Sequence, residues 1–459
     1  MIRVNYKEED LLNRYQKYLE IGYVILCGCF FFVWSITKDI YYAPDEIMRY
    51  QIPEYIFKHG VLPRGDIKEL IDNAWGFSYA FYPNFLGPIF SAFFMKIVSF
   101  FTVNEFALLV AARFTSVLSG MVTVLFLLKI CGRLFSMEIK WVVTILFSLL
   151  PQFIFLASYV NNDIICTCGS AIICYAWICG LQDGWNYKNA AILAIGIIID
   201  ALSYYNSYGW ILCSVFLFAF SYILQKEEKK DYKAMFRIGS FIAVIVLVAI
   251  AGFFIRNAIL YQGDFLGMKT LTLSSETYAV DYIKPSNRNT PLNRGMSLYE
   301  MLDSTEWTGQ RWIPYTIKSF IGVFGAMSVF LPDWIYNIYY ILATVCAIGF
   351  LGRIIMWSIK KTNYKMESAE KNALFYGNVF IAFCIPIGLS LYYSFSVDYQ
   401  AQGRYCYPLF IALAVMLGTG IEWYFSKMKS LYSVILSTII SCALIAISIL
   451  AFVSCYLPS

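Results

Sequence analysis

The sequence predicts an all-α polytopic membrane protein with about eleven transmembrane helices. Hydrophobic residues fill 59% of its 459 positions and charged residues only 14%, against roughly 25% charged in soluble domains. The mean hydropathy is +0.62. Apolar runs of about 20 residues, the length that crosses a hydrocarbon core, recur along the whole chain. Residues 1–459 therefore read as a single transmembrane domain.

The expected spans lie near 21–37, 105–128, 141–158, 164–181, 190–205, 207–224, 238–257, 335–357, 373–394, 406–424 and 431–454. Lys and Arg orient them. The loops 129–140, 225–237 and 358–371 are basic, as are Lys188 and the Lys427–Lys429 pair, and all fall on one side. The short loops opposite, 159–163, 205–209 and 395–404, hold only Arg404. The excess of positive charge on cytoplasmic loops then places the N-terminus in the cytoplasm of a plasma-membrane protein.

Two long extracytoplasmic loops are expected, 38–104 and 258–334. Each carries an apolar stretch, FLGPIFSAFFMKIVSFF (85–101) and SFIGVFGAMSVFL (319–331). Counting the first as a span would put every later basic loop outside. It reads instead as an interfacial or re-entrant helix, which suits Gly87-Pro88 and Lys96. The second is short for a span, and Gly322 and Gly325 suit close packing. Loops this long and this rich in Trp, Tyr and Pro point to function rather than to unstructured connectors.

Several chemistries are excluded. The net charge of +5 reflects loop asymmetry, and no basic stripe marks a nucleic-acid surface. The 13 Cys fall mostly within apolar runs, so they act as small apolar residues and imply no disulfide framework. Cys166-x-Cys168 lacks a second ligand pair, and a single His rules out a His-based metal site. The polar N-terminal stretch does not resemble a cleavable signal peptide.

The candidate site begins with YYAPDEIMRYQIPEYIFKHGVLP (41–63), which sets Asp45 and Glu46 just beyond the first span. Two acids at the mouth of a span suit a general base or a cation site. They also suit the N-cap of a following helix, because Asp is a good cap. Asp163, in YVNND (159–163), falls at the same boundary, again as a site acid or a cap. Arg256 and Arg404 lie on that side too, against the positive-inside preference, where a guanidinium can clamp a phosphate bidentately or contact a lipid headgroup. Arg113 sits about 12 Å inside the second span at 1.5 Å per residue. A charge at that depth calls for a partner, which Asp45, Glu46 or a ligand phosphate would supply. Gln402, Tyr405 and His59 join the substrate-facing candidates. Arg64, Arg311 and Trp312 are weaker ones. Tyr204, Tyr205 and Tyr208 suit either a sugar cleft or an aromatic belt.

Taken together, APDE with its amphipathic continuation (43–63), ARFTSVLSG (112–120), VNND (160–163), RNAILYQGDFLG (256–267), SFIGVFG (319–325) and QGRYCYP (402–408) resemble the GT-C superfamily of membrane glycosyltransferases, which use polyprenyl-phosphate-linked sugars. The motifs run from the first loop to the tenth span and are most similar to a bacterial integral-membrane family of unknown specificity. The resemblance implies Asp45 at the catalytic centre with Glu46 beside it, and Asp163 as the second acid. It implies Arg256 and Arg404 on the lipid phosphate, and a divalent metal (Mg or Mn) on Asp45 and Asp163 in some members and none in others. It also implies a polyprenyl-phosphate sugar donor, an extracytoplasmic glycan, polymer or lipid acceptor, and an inverting displacement. The chain departs from better-known members by lacking a large soluble C-terminal domain and an obvious acceptor-binding motif. A polymerase or ligase of lipid-linked oligosaccharides and a lipid-linked sugar flippase are the competing readings.

Overall fold

The computed structural model describes residues 6–224, 231–360, 366 and 368–459. The basic stretch 225–230, and Lys361 and Lys365, lie outside the described residues. In chain order the helices are α1 (Tyr6–Ser35), α2 (Glu46–His59), α3 (Leu86–Ser99), α4 (Glu105–Leu134), α5 (Met137–Ser148), α6 (Pro151–Leu156), α7 (Asp163–Gln182), α8 (Tyr187–Ala201), α9 (Tyr208–Ile223), α10 (Tyr232–Leu260), α11 (Met268–Tyr278), α12 (Leu298–Asp303), α13 (Trp312–Gly322), α14 (Asp333–Lys360), α15 (Ala369–Ser396), α16 (Phe410–Phe425) and α17 (Ser430–Leu450). Two short strands, β1 (Val323–Phe324) and β2 (Val329–Phe330), pair antiparallel.

Local chemistry sets many boundaries. Asn104, Asn186, Asp231 and Ser368 cap α4, α8, α10 and α15, each accepting a bond from a backbone N–H three residues on. Pro151 sits at the start of α6, and the residue before a proline is pushed out of helical geometry, so α5 stops just ahead of it.

Among the described residues, nine helical stretches are long and apolar enough to cross a membrane. Two of the eleven expected spans do not form such helices. The run 141–158 is divided between α5 and α6, and the run 190–205 gives the 15-residue α8, about 22 Å long. The bundle is multi-pass, with α7 nearly enclosed by its neighbours. α14 and α16 approach so closely that a Cβ on Gly420 would lie 1.9 Å from the Cys346 carbonyl oxygen, the close backbone packing that small residues allow between membrane helices.

The two long loops are docked elements. The apolar stretch 85–101 forms α3, packed between α2 and α4. The stretch 319–331 divides: its first part ends α13, and the rest turns through Gly325, at φ 61°, into the β1–β2 hairpin. The second loop also lies on the first. Ser274 and Ser275 hydroxyls donate to the Gly76 and Trp75 carbonyls, and Asn257 donates to the Phe81 carbonyl.

Replacing Gly420 by Leu forces α14 and α16 apart. The cost expected is about 1–3 kcal/mol, the usual range for overpacking, read as a lower unfolding midpoint of the detergent-purified protein.

Candidate active site

The first loop is organised by an ion pair sealed within the protein. Arg113 of α4 is 2% exposed and Glu46 of α2 is 0% exposed. Arg113 Nε and Nη2 donate to the two Glu46 oxygens at 2.7 and 2.6 Å. Its Nη1 donates to the carbonyls of Ser35 and Lys38, and Nη2 also to that of Asp39. All five guanidinium N–H donors are therefore used. Glu46 also accepts the Val160 N–H at 2.9 Å. One pair thus joins the end of α1, the start of α2, the middle of α4 and the turn before α7. Burial pushes the Glu46 carboxyl up, with Arg113 and the Val160 N–H pulling against it.

Asp45 precedes that pair. Its backbone is left-handed, φ 60°, an unusual conformation for a residue with a side chain but one that Asp tolerates. Although it stands at the N-cap position of α2, its side chain caps nothing. Asp45 Oδ2 instead accepts from Arg404 Nη2 at 2.5 Å. Burial pushes this carboxyl up, but the Arg404 and Arg49 guanidiniums outweigh it and hold it below the usual value of 3.8.

Asp163 begins α7 and does not cap it either. Asn161 receives the Ile164 N–H at 3.0 Å. Asp163 is 0% exposed, neither of its oxygens has a hydrogen-bond partner, and it lies within electrostatic reach of Asp45, Arg49 and Arg404.

Of these groups Asp45 lines a cavity of about 600 Å³, together with Arg49, Tyr79, Asn162, Tyr205 and Tyr405 among others, while Asp163 lies outside the lining, one residue on from Asn162. Arg49 is absent from the sequence reading, yet it is the buried cation that lines the cavity, at 6% exposure. Its guanidinium lies 4.4 Å from the Tyr79 ring centre, and its Nε has no hydrogen-bond partner. Burial works against its charge, but Tyr79, Asp163 and Asp45 outweigh that and hold it protonated. The sequence signal was present: Arg49 is four residues after Asp45, on the same face of a helix.

The other expected residues divide into groups. Tyr204, Tyr205 and Tyr405 line the cavity. Arg404 and Gln402 lie behind Asp45, with Arg404 Nε donating to Gln402 Oε1 at 2.6 Å. Arg113 belongs to the ion pair with Glu46. Arg256 lies elsewhere, half-buried, donating to the Leu62 and Pro63 carbonyls beside the Phe85 ring. His59 is exposed at the end of α2, against Tyr55. Arg288 and Asp398 line the cavity without having been singled out. Burial pushes the Asp398 carboxyl up, against the Gln400 amide and Arg288.

The motifs at 319–325 and 402–408 meet at Gly403. Its N–H donates to Ser319 Oγ at 2.7 Å. A Cβ there would lie 2.2 Å from the Phe320 nitrogen, so only glycine lets the Arg404 segment rest on α13.

No protein-family model matches the sequence, and no curated protein matches it. Solved structures do match. ArnT from Cupriavidus metallidurans, bound to undecaprenyl phosphate, aligns with 90% of this chain at 12% identity and a TM-score of 0.51. The archaeal oligosaccharyltransferase AglB from Archaeoglobus fulgidus, in complex with an inhibitory peptide and a dolichol-phosphate, aligns with 95% at 13% identity and a TM-score of 0.55. An Archaeoglobus fulgidus oligosaccharyltransferase complex with Zn and sulfate aligns with 93% at 13% identity and a TM-score of 0.53. The chain has the GT-C fold. It spans 60%, 55% and 52% of those three chains. The GT-C scaffold here brings the first loop, the turn before α7 and the segment after α15 together around one cavity.

Two outcomes follow. Glu46→Ala leaves Arg113 buried without its counter-ion, which costs about 3–5 kcal/mol and is read as lost stability in a thermal melt. The depressed Asp45 carboxyl contributes stability above the usual value of 3.8 and loses it as pH falls below that value. The gap in unfolding midpoint between wild type and Asp45→Asn therefore closes as pH drops from 5 towards 3.

Proposed function

We propose that the protein is a membrane glycosyltransferase that moves a sugar from a polyprenyl-phosphate donor to an extracytoplasmic glycan, polymer or lipid acceptor. The observation that carries this reading is that Asp45 and the buried Arg49, whose Nε has no hydrogen-bond partner, line one cavity of a GT-C bundle. The lipid phosphates named with ArnT and AglB support a donor of the same kind. The basic turns Lys129–Lys140 and Lys427–Lys429 support a cytoplasmic N-terminus and an extracytoplasmic site, in the plasma membrane.

In this mechanism the acceptor hydroxyl attacks the anomeric carbon as the bond to the phosphate oxygen breaks. The lipid phosphate leaves with the bonding electrons, and the acceptor proton passes to Asp45. Arg49 is the clamp on the departing phosphate, since its guanidinium stands in a low-dielectric cavity with donor capacity unspent. Arg404 fixes the Asp45 carboxylate and keeps it ionised. Glu46 and Arg113 position that acid without reaching the substrate. A single displacement gives inversion. Arg256, held by loop carbonyls beside Phe85, serves the loop in preference to the phosphate.

Asp45 and Asp163 are the residues that would hold a divalent cation, and the two buried Asp163 oxygens without partners fit one. Among the described residues no group of three or more His, Cys, Asp or Glu completes such a site, so further ligands would be water or substrate oxygens, as is usual for Mg. When bound, the ion would polarise the acceptor oxygen.

The reading is tested with full-length protein in lipid nanodiscs and undecaprenyl phosphate as probe. Wild type binds it, and Arg49→Gln weakens binding about tenfold or more, the cost of one charge-assisted contact. In cells, Asp45→Asn cuts by about a hundredfold, a typical loss for a base, the surface-glycan sugar that mass spectrometry shows to depend on the gene. Unchanged glycans with Asp45→Asn overturn the assignment of the base.

A further inference from the structure

The cavity carries a second charged pair that the transfer step above does not use. Arg288 comes from the loop after α11 and Asp398 from the segment after α15, and both line the cavity. Arg288 is held in place: Nε donates to the Ile283 carbonyl at 2.7 Å, Nη2 to Ser275 Oγ at 3.3 Å, and the guanidinium lies 5.6 Å from the Trp75 ring centre. Its loop is fastened beside the Asp398 segment. The Leu292 N–H donates to the Phe395 carbonyl, and Trp307 stacks on Tyr399 with centroids 4.3 Å apart.

Asp398 is held as firmly. Its Oδ2 accepts from Gln400 Nε2 at 2.6 Å. Gln400 Oε1 accepts the Tyr405 hydroxyl, which accepts from Arg404 Nη2 at 3.0 Å, and that same nitrogen donates to Asp45 Oδ2. A line of hydrogen bonds thus runs from Asp45 through Arg404, Tyr405 and Gln400 to Asp398, fixing the two cavity acids in register. Asp398 Oδ1 stands outside that line and keeps its accepting capacity.

We propose that Asp398, Arg288 and Trp75 form the acceptor subsite and that its ligand is a neutral pyranose ring. This rests on the glycosyltransferase reading and adds the class of acceptor. A sugar ring presents vicinal hydroxyls, which donate to a carboxylate and accept from a guanidinium, and an apolar C–H face, which stacks on an aromatic ring. One carboxylate and one guanidinium cancel in charge. A uronate would gain Arg288 but meet repulsion from Asp398, and an amino sugar the reverse, whereas an uncharged ring hydrogen-bonds to both without opposing either.

The test uses full-length protein in nanodiscs saturated with undecaprenyl phosphate. Methyl glycosides of a neutral hexose, a hexuronate and a 2-amino-2-deoxyhexose serve as probes, with binding followed by saturation-transfer NMR. The neutral hexoside binds best to wild type. Asp398→Asn weakens it about tenfold, the loss of one charge-assisted bond, while the affinity for undecaprenyl phosphate stays unchanged within error. Arg288→Gln leaves Asp398 as the sole charge of the pair and shifts preference to the amino sugar, a gain that a misfolded variant cannot give. Preference of wild type for the uronate or amino sugar overturns the proposal, as does no binding of any glycoside or unaltered binding by Asp398→Asn. Failure of undecaprenyl phosphate to bind, with Asp398-dependent hexoside binding intact, overturns the polyprenyl-phosphate donor and leaves the sugar subsite standing.

Discussion

The site depends on one buried ion pair. Taking Glu46 and Arg113 out of water carries a large desolvation penalty, and only a full set of hydrogen bonds repays it. The pair has that set: five donors on the arginine, and three bonds to the carboxylate. Since its bonds reach α1, α2, α4 and the turn before α7, none of the four can shift without leaving a buried charge unsatisfied. Asp45 is the residue next to Glu46 in the chain, so the pair also fixes where its left-handed backbone stands.

A division of labour among the arginines follows. Arg113 is spent on structure and Arg404 on holding Asp45. Arg256 gives its Nη2 to the carbonyls of the first loop, and its Nη1, buried without a hydrogen bond, lies away from the cavity lining. Arg49 keeps an Nε without a hydrogen bond in the cavity, and an ionised group so placed is costly unless something of opposite charge meets it. Asp45 and Asp163 meet part of that need through space, and a phosphate would meet it directly. The acids divide in the same way: Glu46 is fully bonded, Asp45 half engaged, and Asp163 without a hydrogen bond.

The membrane spans were legible because a helix in lipid must be apolar along about 20 residues, and that constraint is local. A single long helix is not found at 141–158, which Leu150-Pro151 divides into α5 and α6, or at 190–205, where α8 stops at Ala201. Asp45, Glu46, Asp163 and Arg404 were legible as charges out of place at span ends. Their partners were not, since Glu46 meets Arg113 from 67 residues away and Asp45 meets Arg404 from 359 residues away. Arg49 is not legible as a site residue despite its spacing from Asp45, because an arginine in an amphipathic stretch looks the same whether it faces solvent or a cavity. Asp398 and Gln400 lie in a non-helical segment after α15, where no local period says which side chains enter the cavity.

The sequence by itself determined the all-α membrane architecture, the expectation that two long loops are ordered, and which charges sit at the ends of spans. Those features follow from hydrophobic length and charge, which act residue by residue. Only the tertiary structure decided that Glu46 is sealed against Arg113, that Asp45 and Asp163 cap nothing, that Arg49 and not Arg256 enters the cavity, and that Arg288 and Asp398 share it. Those are pairings between distant segments, and a side chain's partner is fixed by which helices pack together, a property of the whole bundle that no single stretch of chain contains.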